Sequence, residues 1–318
     1  MKTNIIHIAA LCACFTGVGS ALAGPPAAAY ADISAGAAAK PLDSTWPVAA
    51  DGRIDIGNVR GKVTVTGWDQ PQVKLEGTLG AGSTLAVSGS ADRLSLRVKS
   101  AESGWFGSDG PRHDSVLILH VPRTVALEVN VVSADASVAD VAGKSLKAGS
   151  VSGNLDLSSA APEIDVDSVS GDVKLDAPRP NPAASVHVQT VSGDIRARNL
   201  AGRIKLETVS GGMDCACATV RELNTGSVSG DADITVAPEG AARLHLESMS
   251  GSIRLHLPAA LSAHIDASTF SGSIHSDFGA VQEKEYGPGS SLKAQAGGGD
   301  ADISVQAFSG DIRLSKQP

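Results

Sequence analysis

The sequence predicts an all-β repeat protein, a parallel β-solenoid with coils of roughly 20 residues, and three observations carry that prediction. First, the dipeptide Ser-Gly recurs at Gly153, Gly171, Gly193, Gly211, Gly230, Gly251, Gly272 and Gly310, with gaps of 18, 22, 18, 19, 21, 21 and 38 residues. A fixed period of this size marks one supersecondary unit repeated along the chain. Second, aligning the copies on the glycine produces apolar columns. Seven residues before it stand Leu146, Ile164, Val186, Ile204, Leu223, Leu244, Ile265 and Ile303. Two before it stand Val151, Val169, Val191, Val209, Val228, Met249, Phe270 and Phe308, and two after it Leu155, Val173, Ile195, Met213, Ala232, Ile253, Ile274 and Ile312. Apolar and polar residues alternating in this way read as half-buried strands. Third, 42% of the residues are hydrophobic but only 3% aromatic, so the core has to be a thin one of Val, Ile, Leu and Ala, as stacked sheets require.

The parity of the columns then fixes the elements of each unit. Positions −7 and −5 lie on one face of an extended chain, and positions −2, +2 and +4 on the other, so a corner is expected near −4. Each unit reads as a short strand, a corner, a longer strand running through Ser-Gly with the glycine inward, and a turn of variable length. The turns at 159–163, 177–184, 237–242 and 258–263 collect on one side of the stack. The last gap, twice 19, reads as a coil that lost its signature and kept its length. An antiparallel array of stacked hairpins, with a three-residue turn centred on the glycine, preserves the same parity and remains the alternative.

Four regions follow along the chain. Residues 1–23 read as a signal peptide, with Lys2 before an apolar stretch and Ala21-Leu22-Ala23 as the cleavage site. A second site after Ala31 is the alternative, and the expected location is the periplasm or cell surface. Residues 24–41 are low in complexity and read as a flexible tether. Residues 42–142 form a less regular β region continuous with the stack, and residues 143–318 are the regular repeat. No apolar run after the leader reaches the roughly 20 residues that span a bilayer. The net charge of −8 comes without a basic stripe, which argues against a nucleic-acid partner.

The segment Ile54-Asp-Ile-Gly-Asn-Val-Arg-Gly61, then Gly67-Trp68-Asp69, then the reiterated Val-Ser-Gly-Asp-Ile, resembles the bacterial β-strand-repeat family of candidate adhesins of unknown function. The resemblance covers nearly the whole chain after the leader. It implies an exported, non-catalytic scaffold, adhesin-like or envelope-associated, and leaves the ligand and the oligomeric state open. The sequence departs from the pattern at Gly212, where the aspartate is missing, and over 279–299.

Several residue sets invite a chemical reading. Cys215 and Cys217 alternate with Met213 in the inward columns, so they are expected to be small buried hydrophobes with free thiols. A disulfide is the rival, since residues two apart in a strand sit near the upper limit of bridgeable separation. Asp172, Asp194, Asp231 and Asp311 follow the glycine in one outward row. A calcium-binding structural repeat is one reading, and turn or bend residues bonding their own local backbone is the expected one. A second outward row holds Asp156, Lys174, Arg196, Asp214, Asp233, Arg254, His275 and Arg313, mixed in sign as cross-strand pairing needs. A solenoid carbohydrate-active enzyme, lyase or hydrolase, is the competing class, but aromatic residues to stack on sugars are scarce and the histidines lie in scattered registers. No catalytic, cofactor or metal residue is assigned. Trp105 and Phe106, adjacent on a glycine-rich loop, are the expected contact for an envelope or surface partner.

Overall fold

Each coil is two strands meeting at the Ser-Gly corner. In the Gly171 coil, Glu163–Ser170 leads into the corner and Val173–Asp176 leaves it. Ile164 lies in parallel register between Leu146 and Val186, and Val173 between Leu155 and Ile195. The leading strands therefore build one sheet and the departing strands another, as a parallel β-solenoid requires. The core fills the space between them, with Ile164, Val166, Val173 and Leu175 all buried. The computed structural model describes residues 28–99, 114–283 and 289–317, and these contain strands and no helix. The leader expected at 1–23 lies outside them.

The corner sits at the Ser-Gly itself and not near −4, which corrects the inner columns. Positions −7, −5 and −3 keep one parity up to the bend, so position −3 is buried: Ser150, Ser168, Thr190, Thr208, Ser227, Ser248 and Thr269 are each no more than 7% exposed. Position −2, expected inward, faces out. At five of the seven −3 positions the hydroxyl donates to a glycine carbonyl at the bend, whereas Thr190 Oγ1 and Thr208 Oγ1 are buried without a partner among the described residues. Ser150, Ser168, Ser227 and Ser248 donate to the carbonyls of Gly153, Gly171, Gly230 and Gly251 at 2.7 to 3.2 Å. An aliphatic side chain there would leave a buried acceptor unpaired. The glycine is needed for approach: a Cβ on Gly171 would stand 2.2 Å from the Gly153 carbonyl oxygen, and the same holds from Gly171 to Gly193 and from Gly193 to Gly211.

Both ends of the stack depart from chain order. At the C-terminal end the Gly310 coil is wedged between the Gly251 and Gly272 coils, with Ile303 between Leu244 and Ile265 and Ile312 between Ile253 and Ile274. The long gap therefore holds no degenerate coil. It holds Ser290–Ala296, which runs antiparallel along Ala263–Ser271 and covers the end of the leading sheet. At the N-terminal end, Arg53–Trp68 and Ala126–Val141 are two further coils, with Gly61 and Ala134 at the corner position. Arg93–Lys99 and Ser115–Pro122 stack on Arg53–Trp68. Antiparallel Thr84–Ser90 and Gln72–Leu79 follow, with Lys40–Pro47 outermost.

The tether expected over 24–41 is docked from Ala28 onward. Ala28–Ala29 and Ile33–Ser34 pair antiparallel with Thr84–Ser90, and Lys40 already begins a strand. An uncovered strand edge carries a row of unpaired N–H and C=O groups, and a short low-complexity segment is enough to satisfy part of it.

Candidate functional site

The outward rows on the flat faces are largely engaged in joining coils. The residues just after the corner form a ladder in which each side-chain oxygen accepts the backbone N–H of the same position one coil on. Asp135 accepts from Asn154, Asn154 from Asp172, Asp172 from Asp194 and Asp194 from Gly212, all between 2.9 and 3.1 Å. Asp231 does the same for Ser252, and Asp311, in the wedged coil, for Ser273 in the coil beside it. These carboxylates bond the backbone of the neighbouring coil and not their own local backbone, which corrects the expectation of simple turn residues. Gly212, which breaks the motif, still donates its N–H, so only the acceptor is lost there.

Ion pairs occupy the next row. Lys174 lies 3.4 Å from both Asp156 and Asp176, and Arg196 reaches Asp172 at 3.3 Å and Asp194 at 2.9 Å. Arg198 holds Asp214 through both oxygens, and those bonds draw the Asp214 carboxyl below its ordinary pKa. On the leading sheet, His187 stands 3.6 Å from each of Asp165 and Glu207, which themselves meet Lys147 at 3.5 Å and Lys205 at 2.9 Å. A shallow depression near the C-terminal end is lined by His264, Asp266, Lys293, Gln295, Asp302 and Ser304, with Lys293 3.7 Å from Asp266.

Cys215 and Cys217 are joined as a disulfide, which corrects the expectation of two free thiols. Their Cα atoms are 5.6 Å apart, inside the bridgeable range, and the strand carrying them shifts register between Ala216 and Thr219. The chain is not a fully extended strand at this point, and neither residue type nor spacing marks the bulge. Both residues remain buried, so the expected inward placement stands.

The corner presents an exposed apolar row, longer than the exposed pair Val116 and Ile118 on the flat face. Position −2 forms a ridge running from Val59 and Val132 through the valines of the repeat to Met249, Phe308 and Phe270. With about 4.8 Å per strand the ridge is about 43 Å long. Its side chains become larger toward the C-terminal end, where Phe270 and Phe308 are 49% and 57% exposed, against 38% for Val132 at the other end and 37% for Met249. The Phe270 and Phe308 rings stack with centroids 5.0 Å apart and planes within 8°. Reading these residues as core missed the ridge. The signal was present in the neighbouring column, where Ser or Thr precedes the apolar residue in seven of the eight copies.

Trp105 and Phe106 lie outside the described residues. The strands on either side of that stretch, Arg93–Lys99 and Ser115–Pro122, both pair with Arg53–Trp68.

The family model described as Toastrack DUF4097 matches residues 52–315. The chain belongs to that family. The resemblance read from the motifs around Ile54 and the Ser-Gly repeat is thus borne out. Among solved structures, this toastrack protein is similar to a candidate adhesin from Parabacteroides merdae at 10% identity, covering 89% of this chain and 99% of that one with a TM-score of 0.45. A candidate adhesin from Bacteroides fragilis is similar at 10% identity over 87% of this chain and 97% of that one, with a TM-score of 0.35. A candidate cell adhesion protein from Clostridium sporogenes is similar at 12% identity over 87% of this chain and all of that one, with a TM-score of 0.25. No curated protein matches the sequence.

Proposed function

We propose that this toastrack protein is an exported, non-catalytic repeat scaffold of the cell envelope, adhesin-like in presenting a long surface to a partner. One observation carries the reading. Many of the polar groups on the flat faces are taken up by bonds between coils, as in the Asp135 to Gly212 ladder and the Lys174 and Arg196 ion pairs. Groups held in this way are poorly placed to move a proton or attack a substrate, whereas the apolar corner is engaged with nothing on the described surface. Export is supported by the leader-like residues 1–23 and by a disulfide that an oxidising compartment maintains. The test pairs cell fractionation with incubation of the purified protein on envelope polysaccharides. Recovery from the envelope fraction with intact glycans is expected. Recovery from the cytoplasm would overturn export, and depolymerisation abolished by substituting Asp165 or Asp266 would overturn the scaffold reading.

A further inference from the structure

The C-terminal end of the corner differs from the rest in two independent ways. The first is the stacked pair Phe308 and Phe270 beside Met249, the most exposed part of the ridge. The second is electrostatic. Three residues after the corner, Arg254 stands directly opposite Arg313, and Arg313 opposite His275, in parallel register. Like charges directly opposite on neighbouring strands repel. Elsewhere in this row each cation is answered, Lys174 by two aspartates and Arg196 by two more. Here Arg254 reaches Asp231 at 3.5 Å, and among the described residues no carboxylate lies within 4.0 Å of Arg313 or His275. The adjacent Asp311 turns one oxygen to the N–H and hydroxyl of Ser273 at 2.9 and 2.8 Å.

We propose that this end of the molecule docks on a lipid bilayer surface bearing anionic headgroups, with Met249, Phe308 and Phe270 entering the interface and Arg254 and Arg313 pairing with phosphates. The proposal names a partner for the scaffold reading and rests on it. Shape favours a bilayer over a second copy: the corner is convex, so two identical corners would touch along a line, whereas lipid yields around a ridge. Charge favours anionic headgroups, because a phosphate between Arg254 and Arg313 would relieve a repulsion that Asp231 and Asp311 offset only in part. Attachment through Arg254 and Arg313 weakens with salt, and the acidic Glu247 and Asp311 beside the tip keep it reversible.

Vesicle sedimentation tests this with the whole chain, so that any contribution of residues 1–27 is common to every variant. Wild type is expected on phosphatidylcholine vesicles containing phosphatidylglycerol, with less binding at high salt and less on phosphatidylcholine alone. The double substitutions Phe270→Ser/Phe308→Ser and Arg254→Gln/Arg313→Gln should each weaken binding about tenfold or more, while Val132→Ser at the far end should not change it. Thermal melts accompany each variant, and should the phenylalanine variant unfold, the arginine variant decides alone. The proposal is overturned if wild type does not bind, binds both vesicles equally, or is matched by the arginine variant. Glycan cleavage would overturn the scaffold reading without altering any of these outcomes.

Discussion

In the middle of the stack each coil rests on the coil that precedes it in the chain, whereas at the C-terminal end the last coil lies beneath the one before it. The contacts in the two places are nearly the same. A Cβ on Gly310 would stand 2.2 Å from the Gly251 carbonyl oxygen, and a Cβ on Gly272 2.2 Å from that of Gly310, as in the central ladder. The ladder therefore accepts any coil on any other and does not encode their order. Order at the end comes from what the ladder cannot supply. Ser290–Ala296 pairs antiparallel with Ala263–Ser271 over seven residues, and this makes the Gly272 coil the covered end. The wedged coil then brings Phe308 against Phe270. The same logic holds at the other end, where antiparallel strands and Pro41 and Pro47 in the outermost strand blunt the edge.

If the middle is held by its columns, breaking a column there should have the largest effect. Ile204 is buried between Val186 and Leu223, and Ile204→Asp would place an unpaired carboxylate in that core. A loss of more than about 4 kcal/mol is expected. Lys205→Ala, one residue on and facing out, should change stability by at most about half a kcal/mol. Denaturant melts of the two check the register, and equal shifts would refute it. Next in size is Gly211→Ala, whose new methyl would meet the Gly193 carbonyl oxygen at 2.2 Å. A cost of about 2 to 4 kcal/mol is expected from overpacking against backbone. Gly240→Ala, with nothing within 4 Å and only a positive φ of 56° to strain, should cost about 1 kcal/mol. Parity between these two would show that the ladder is looser than described.

The wedged order can be tested by covalent means. Glu247 lies in register with Gln306, and Gln306 with Ser268, so Glu247 and Ser268 are two strands apart. Adjacent strands at about 4.8 Å permit a disulfide, and a separation near 9.6 Å does not. Glu247→Cys/Gln306→Cys should oxidise and raise stability by about 2 to 4 kcal/mol. Glu247→Cys/Ser268→Cys should stay reduced. The opposite result would mean that the coils stack in chain order.

This contrast also explains how much the sequence disclosed. The parallel solenoid, the −7 and +2 columns and the turns on one side were legible because, from Gly153 to Gly251, spatial neighbours are also sequence neighbours. The corner was misplaced because Val at −2 resembles core, and only the hydroxyl column beside it records which side is buried. The wedge left no mark in the spacing, since 38 residues fit two coils as well as one coil and a cap. Gly61 and Ala134 were overlooked because Arg60 and Ala134 replace the Ser and the Gly of the dipeptide. For the candidate site, the paired aspartate and charge rows could be read from residue type and spacing. The ridge could not, because its exposure depends on the placement of the bend.

The disulfide offers a smaller test within the middle of the stack. Cys215 and Cys217 should resist thiol labelling in the denatured, unreduced protein and label once reduced. Closing so short a loop removes little chain entropy, so reduction should lower stability by at most about 2 kcal/mol. A drop large enough to unfold the array would mean that the bridge, and not the columns, holds this coil.

The smallest expected effect asks whether the end coil keeps the same ladder as the middle. Asp311 accepts the Ser273 N–H and hydroxyl, and chiefly the backbone bond draws its carboxyl below the ordinary value of 3.8. The unfolded chain thus takes up this proton more readily than the folded one. The stabilisation is therefore complete above about pH 3.8 and is lost as the pH falls through the lower, folded value. Asn154 fills the same position in the middle with a neutral side chain and still accepts the Asp172 N–H at 3.0 Å. Asp311→Asn should accordingly keep the bond and lose only its charge assistance, while Asp311→Ala should cost at most about 1 kcal/mol at neutral pH. In thermal melts, the advantage of wild type over Asp311→Asn should shrink as the pH drops from 7 to 3. An advantage that stays constant would mean that Asp311, in the wedged coil, is not bonded to the coil beside it, and the ladder would then end at Ser252.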